Sequence, residues 1–223
     1  MNIIDYPDQE MLAINLANIL AGRLRATLDH EDRALLVVPG GSTPGPIFDD
    51  LCDADLDWSR VDVMLSDERW VPEVHVRSNT RLIRERLLTG RAARARLVPL
   101  YAKADNPENV LPELEAVIAP ALPISVLLLG MGSDMHTASL FPGADRIEEA
   151  LARDAPILVP MRGGGAPEPR VTLSARVLNE AISKHLVITG QPKRAALERA
   201  RGLPHTQAPV GAVLSDMTVH WAE

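Results

Sequence analysis

Unbroken apolar runs that stop at glycine constrain this chain more than any other feature. Ala34-Leu35-Leu36-Val37-Val38 leads into Pro39-Gly40-Gly41, Leu127-Leu128-Leu129 into Gly130, and Leu186-Val187-Ile188-Thr189 into Gly190. A strand without polar alternation has no face to offer water and must be covered on both sides, as the strands of parallel sheets are. Strands are therefore expected at 34–38, 61–65, 126–129, 157–159, 170–173 and 185–189, with a last one near 218–221. Stretches of helical periodicity separate them, at 8–28, 44–51, 78–88, 107–118, 175–182 and 192–201. Strand–helix–strand order implies right-handed crossovers, and so an α/β fold built on a mostly parallel sheet flanked by helices. The Gly/Pro-rich stretch at 163–169 lies between two strand candidates and reads as a loop over a site rather than a linker. One domain spanning 1–223 is the expectation.

The charge balance narrows the partners. With 30 acidic against 23 basic residues the net charge is −7, whereas nucleic-acid binders show a basic patch or stripe. No apolar run approaches the ~20 residues that span a bilayer. Residues 1–8 hold two acids and no basic stretch, so neither a membrane anchor nor a secretory leader is expected. The single cysteine, Cys52, fits a reducing cytoplasm and reads as a small buried hydrophobe. A cationic pocket for a small anion stays compatible with an acidic chain.

Three junctions are candidates for such a pocket. In Gly40-Gly41-Ser42-Thr43-Pro44 the glycines permit a sharp turn and close approach to a ligand. Ser42 or Thr43 suits a helix N-cap and Pro44 the first helical position, so backbone N–H groups would face an anion. An ordinary glycine-rich connection is the alternative, and the Gly-Lys-Ser/Thr ending of a nucleotide P-loop is missing. In Thr189-Gly190-Gln191-Pro192-Lys193 a strand again meets glycine, and Lys193, one of only three lysines, falls in a first helical turn where a cation opposes the dipole. It is either a ligand for an anion or a solvated surface residue. In Asp67-Glu68-Arg69-Trp70-Val71-Pro72, Arg69 could pair with its neighbouring carboxylates or present its guanidinium fork to phosphate. Ser78 reads as the N-cap of the helix that follows.

The segment from Gly130 to Gly143 holds the candidate chemistry. It presents Asp134 and His136 just beyond a strand end, an ionisable base with a carboxylate near enough to orient it. The other histidines (His30, His75, His185, His205 and His220) take the structural reading by default. Gly130-x-Gly132 echoes a dinucleotide fingerprint weakly, but the third glycine is displaced and no ribose-binding acid is evident, so NAD is not expected. Ser133, Asp134 and His136 lie too close in one loop for a hydrolase triad, and no Gly-x-Ser-x-Gly elbow exists. No His-Glu-x-x-His or cysteine cluster calls for a metal.

Taken in order, these segments, together with His75, Ser78, Asn79 and Pro169-Arg170-Val171-Thr172-Leu173, resemble the 6-phosphogluconolactonase branch of the superfamily that also holds glucosamine-6-phosphate deaminase. The run His136-Thr137-Ala138-Ser139-Leu140-Phe141-Pro142-Gly143 separates the branches. The deaminase places a glutamate just before its Pro-Gly, where this chain has Phe141. The resemblance implies a doubly wound, Rossmann-like fold and hydrolysis of 6-phospho-D-glucono-1,5-lactone without a cofactor, by a monomer or homodimer. It also implies His136 as general base, Asp134 as its orienting carboxylate, and Arg69, Arg170 and Lys193 as the cations for phosphate and oxyanion. Gly40, Gly41, Ser42 and Thr43 would supply backbone donors, and Asp67 counts with them among the substrate- and phosphate-binding residues. A deaminase-type enzyme and a phosphosugar-binding module without turnover are the competing readings. One departure stands out: the family usually has glycine between the acid and the histidine, where this chain has Met135. If that position takes positive φ, a methionine there is strained by about 1 kcal/mol or more.

Overall fold

The computed structural model describes residues 1–163 and 165–223; residue 164, inside the loop expected at 163–169, lies outside the described residues. In chain order the strands are β1 (Asn2–Asp5), β2 (Ala34–Val38), β3 (Val61–Leu65), β4 (Asp67–Arg69), β5 (Arg96–Val98), β6 (Val126–Gly130), β7 (Leu158–Met161), β8 (Arg170–Leu173), β9 (Ser183–Thr189) and β10 (Thr218–Ala222). The α-helices are α1 (Gln9–Leu28), α2 (Gly45–Leu51), α3 (Asn79–Arg86), α4 (Leu111–Ile118), α5 (Ile147–Leu151), α6 (Ala175–Asn179) and α7 (Gln191–Ala200). Seven strands form one parallel sheet in the order β1-β10-β9-β6-β2-β3-β5. From β2 the chain builds outward in one direction through β3 and β5, and from β6 in the other through β9 and β10. The sheet is doubly wound, and its topological switch point lies between β2 and β6.

The apolar runs became the middle of this sheet. β2 and β3 are buried along their whole length, and β6 up to its terminal glycine. Helix α1 starts at Asp8, whose side chain accepts the Met11 N–H at 2.7 Å, and packs its stripe of Leu12, Leu16, Leu20, Leu24 and Leu28 inward. Each fully buried leucine there stabilises the fold by roughly 1.5–3 kcal/mol. Among the described residues no helix is long and apolar enough to cross a membrane.

Two of the expected strands do not belong to the central sheet. β7 and β8 pair antiparallel with each other, and β8 pairs with β4, in a separate three-stranded sheet. Asp67-Glu68-Arg69, expected to be carried at the end of β3, is therefore a strand of its own. The chain passes between the sheets at Ser66, whose N–H donates to the Val38 carbonyl and whose carbonyl accepts from Leu173 N–H. Strands β1, β4 and β5 and helix α5 were not expected from the sequence.

Candidate active site

In a parallel sheet every strand ends on the same edge, and ligands settle where strand order reverses. A cavity of about 340 Å³ lies there, lined by Gly40, Gly41, Ser42, Thr43, Asp67, Arg69, His136, Arg170 and Lys193. Every site residue proposed from the sequence thus lines one cavity except Asp134, which stands behind His136. Asn79, Phe141, Ala138, Met131 and Val187 also line it and had not been read as site residues.

The loop after β6 folds back on itself to present His136. The Gly132 N–H donates to the His136 carbonyl and Met135 N–H to the Gly132 carbonyl, both at 3.0 Å. Asp134 Oδ1 lies 2.5 Å from His136 Nδ1 and also accepts the His136 N–H. That hydrogen bond holds the Asp134 carboxyl below the usual carboxylate range, so it is ionised at neutral pH and Nδ1 is the donor. His136 lines the cavity and its Nε2 has no partner among the described residues, while the imidazole packs against Phe141 with ring centroids 4.6 Å apart. A Cβ at Gly132 would fall 2.2 Å from the imidazole, so this position must be glycine for the pair to form.

Met135 sits at φ +67°, so the strain anticipated for a side chain there is present. The backbone has kept the left-handed turn rather than shifting the loop. Met135→Gly should accordingly leave the loop in place and hold turnover within about threefold of the parent. A loss of tenfold or more in steady-state turnover would show that the methionine side chain itself props the histidine.

The small sheet supplies the arginines. The Glu68 side chain is fully buried and accepts the N–H groups of Arg69, Asn79 and Thr80 at 2.7–2.8 Å, while Ser78 caps α3 as expected. Burial pushes the Glu68 carboxyl up, against the pull of those N–H groups. Asp67 accepts from Ser139 Oγ at 2.6 Å and Ser66 Oγ at 3.1 Å and lies 4.0 Å from Arg170. A carboxylate so engaged is a support for the cations and the histidine loop rather than a ligand for an anion. Arg170 also meets Glu168 at 3.2 Å and stands 5.7 Å from the centroid of Phe141, on which His136 also packs. Arg69 makes no carboxylate pair among the described residues; Nη1 donates to the Arg77 carbonyl at 2.5 Å.

The two glycine junctions differ from expectation in one detail each. Pro44 occupies the N-cap position of α2, with no side-chain cap, so neither Ser42 nor Thr43 plays that part. Their hydroxyls stay uncommitted, and the N–H groups of residues 40–43 donate to no other group among the described residues. At the other junction Gly190, at φ +80°, precedes α7, which starts at Gln191 rather than Pro192. Lys193 is half-buried and makes no ion pair among the described residues, and burial lowers its ammonium pKa. A desolvated cation with no partner is prepared for an anion.

The family model of glucosamine-6-phosphate isomerases/6-phosphogluconolactonase matches residues 7–221. The chain belongs to this family. It is 42% identical to the 6-phosphogluconolactonase of Pseudomonas aeruginosa over 213 residues, covering 94% of this chain and 90% of that protein. With the 6-phosphogluconolactonase of Rhizobium meliloti it shares 40% identity over 229 residues, covering 100% and 98%. The crystal structure of a 6-phosphogluconolactonase from Shewanella baltica superposes with a TM-score of 0.96 at 32% identity, covering 100% of this chain and 98% of that one. Membership in the glucosamine-6-phosphate isomerase/6-phosphogluconolactonase family agrees with the doubly wound sheet and with the placement of the cavity at its switch point.

Proposed function

We propose that this chain hydrolyses 6-phospho-D-glucono-1,5-lactone to 6-phosphogluconate, the lactone-opening step of the oxidative pentose phosphate pathway, as a single-domain cytoplasmic enzyme that needs no cofactor. One observation carries the reading: an imidazole held at Nδ1 by Asp134, with Nε2 free, shares a cavity with three cations. The lactone carbonyl is an activated ester, so a base and an electrostatic donor for the oxyanion are enough to open it, each supplying roughly 10²–10³-fold.

In this mechanism His136 Nε2 takes a proton from water as the water oxygen bonds to C1 of the lactone. Asp134 stabilises the imidazolium that forms. Negative charge gathers on the carbonyl oxygen, and Arg170, which stands against the same Phe141 ring as His136, is assigned to receive it. Collapse of the tetrahedral intermediate breaks the bond between C1 and the ring oxygen, which takes the proton back from His136. The carboxylic acid so produced then ionises. Lys193, Arg69 and the N–H groups of residues 40–43 hold the phosphate, whose binding energy positions the ring. Phe141 leaves no carboxylate at the position where the resemblance puts the deaminase glutamate, which favours hydrolysis over deamination.

The test is lactone opening measured against its spontaneous rate, with substrate generated in place. Clear acceleration is expected, and its absence would refute the reading. In the same assay Lys193→Ala should lower kcat/KM for the phosphorylated lactone by about 10²-fold, as for loss of a charged hydrogen bond. For unphosphorylated gluconolactone it should change by less than about threefold. Equal losses on both substrates would remove Lys193 from phosphate binding.

A further inference from the structure

A cavity rich in cations and N–H donors suits the phosphate, but the ring of the proposed substrate also presents hydroxyl donors, which need acceptors. Asn79 provides one in a fixed orientation. Its Nδ2 donates to the Asp67 carbonyl at 3.0 Å, and its own N–H is held by Glu68 Oε1 at 2.8 Å. Because the amide nitrogen is spoken for, Oδ1 must point the other way. Oδ1 accepts no hydrogen bond among the described residues. It is not sealed off either, for the sealed and unpartnered side-chain atoms there are Arg69 Nε, Arg170 Nε and Ser174 Oγ. The residue is only 2% exposed and lines the cavity, so the open side of Oδ1 is the cavity itself.

The surroundings are shaped around this amide. A Cβ at Gly40 would lie 2.0 Å from Oδ1, so Gly40 must lack a side chain for Asn79 to reach its place. That requirement is separate from any need for close approach to phosphate. The buried Glu68 carboxylate fixes the backbone beneath the amide, and the Asp67 carbonyl fixes its plane. Three residues from two segments, Gly40 and the pair Asp67 and Glu68, thus fix one neutral acceptor at a cavity rich in donors, where His136 Nε2 is given to the reacting water and the Asp67 carboxylate to Ser139 and Ser66.

We propose that Asn79 Oδ1 accepts a hydrogen bond from one ring hydroxyl of the phosphosugar lactone, making Asn79 a specificity residue that reads the hydroxylated ring rather than the phosphate or the reacting carbonyl. The assignment rests on the lactonase reading above. A site built to bond a hydroxyl rejects the analogue lacking it, because its own buried group is then left unpaired.

The experiment compares 6-phosphogluconolactone with its 2-, 3- and 4-deoxy forms, on the wild-type chain and on Asn79→Ala. The wild-type chain is expected to discriminate against one deoxy form by about tenfold or more in kcat/KM. Asn79→Ala should lose discrimination at that one hydroxyl and keep it at the other two. Absence of any hydroxyl preference in the wild-type chain, which needs no variant to fold, would overturn the proposal. So would an Asn79→Ala loss by one common factor on all four substrates, the signature of a purely structural amide. If the wild-type chain leaves the lactone to its spontaneous opening, the lactonase reading fails on its own. Calorimetry with 6-phosphogluconate and its deoxy forms then puts Asn79 to the same two outcomes.

Discussion

Replacing His136 with alanine is expected to lower kcat by about 10²–10⁴-fold while KM moves by no more than a few-fold. The asymmetry follows from geometry. Nε2 has no partner among the described residues and, in the mechanism proposed above, works only as the proton moves, while the proposed binding energy comes from the cations and the turn at residues 40–43. Burst-free steady-state kinetics, corrected for spontaneous opening, would show it. Turnover unchanged in the variant would remove the imidazole from the mechanism. A proportional rise in KM would recast it as a binding group.

A second large effect is expected in stability below neutral pH. Tyr6 Oη, just after β1, His220 in β10 and His185 and Ser183 Oγ in β9 form a chain whose two histidines are buried. The Tyr6 Oη to His220 Nδ1 distance is 2.9 Å, His220 Nε2 to His185 Nδ1 is 3.0 Å, and His185 Nε2 to Ser183 Oγ is 2.9 Å. With one proton per ring each link is satisfied, and a second proton on either ring would leave a charge enclosed. Burial lowers His185 from 6.5 to about 4 and His220 to about 3. Their folded values lie below the unfolded one, so the unfolded chain binds more protons as pH falls. Stability is therefore whole above about pH 6.5 and is lost as pH falls from there toward the folded values. At pH 5, some 1.5 units below the unfolded value, the loss is about 2 kcal/mol per histidine, or roughly 3–4 kcal/mol for the coupled pair. Urea unfolding at pH 7.5 and pH 5 measures it directly. A flat profile over that interval would mean that the buried rings accept protons without penalty.

Much of this arrangement was legible in the chain because local and global demands agree. Ala34–Val38, Val61–Leu65 and Arg170–Leu173 were read at their observed bounds: the first is an unbroken apolar run, and in the other two β-branched residues outweigh the single charge, Asp62 or Arg170. The candidate site was legible for a related reason. Glycines that end neighbouring parallel strands must meet on one edge, so the residues after Val38, Leu129 and Thr189 converge without any contact having been foreseen. What escaped depends on distant pairing. Asn2–Asp5 has no strand signal of its own and is a strand only because Thr218–Ala222 lies beside it. Asp67–Arg69 reads as a charged loop until Glu68 is seen buried under the start of α3. Asn79 looked like the first residue of a helix. Its meaning comes from the Asp67 carbonyl and from Gly40, neither of which its own sequence neighbourhood reveals.

The pairing of the first strand with the last has a consequence for how the molecule is made. Among the described residues β1 pairs only with β10, and Tyr6 reaches His220 across the same seam. During synthesis the opening segment therefore emerges long before its partner exists, and it waits unpaired while more than two hundred residues are added. Contacts so distant along the chain are the slowest to form and expose strand edges meanwhile. The interior around β2, β3 and β6, whose partners lie closer in sequence, can assemble beforehand. Closure of the outer seam has to wait for β10, and it is the step that encloses the histidine chain.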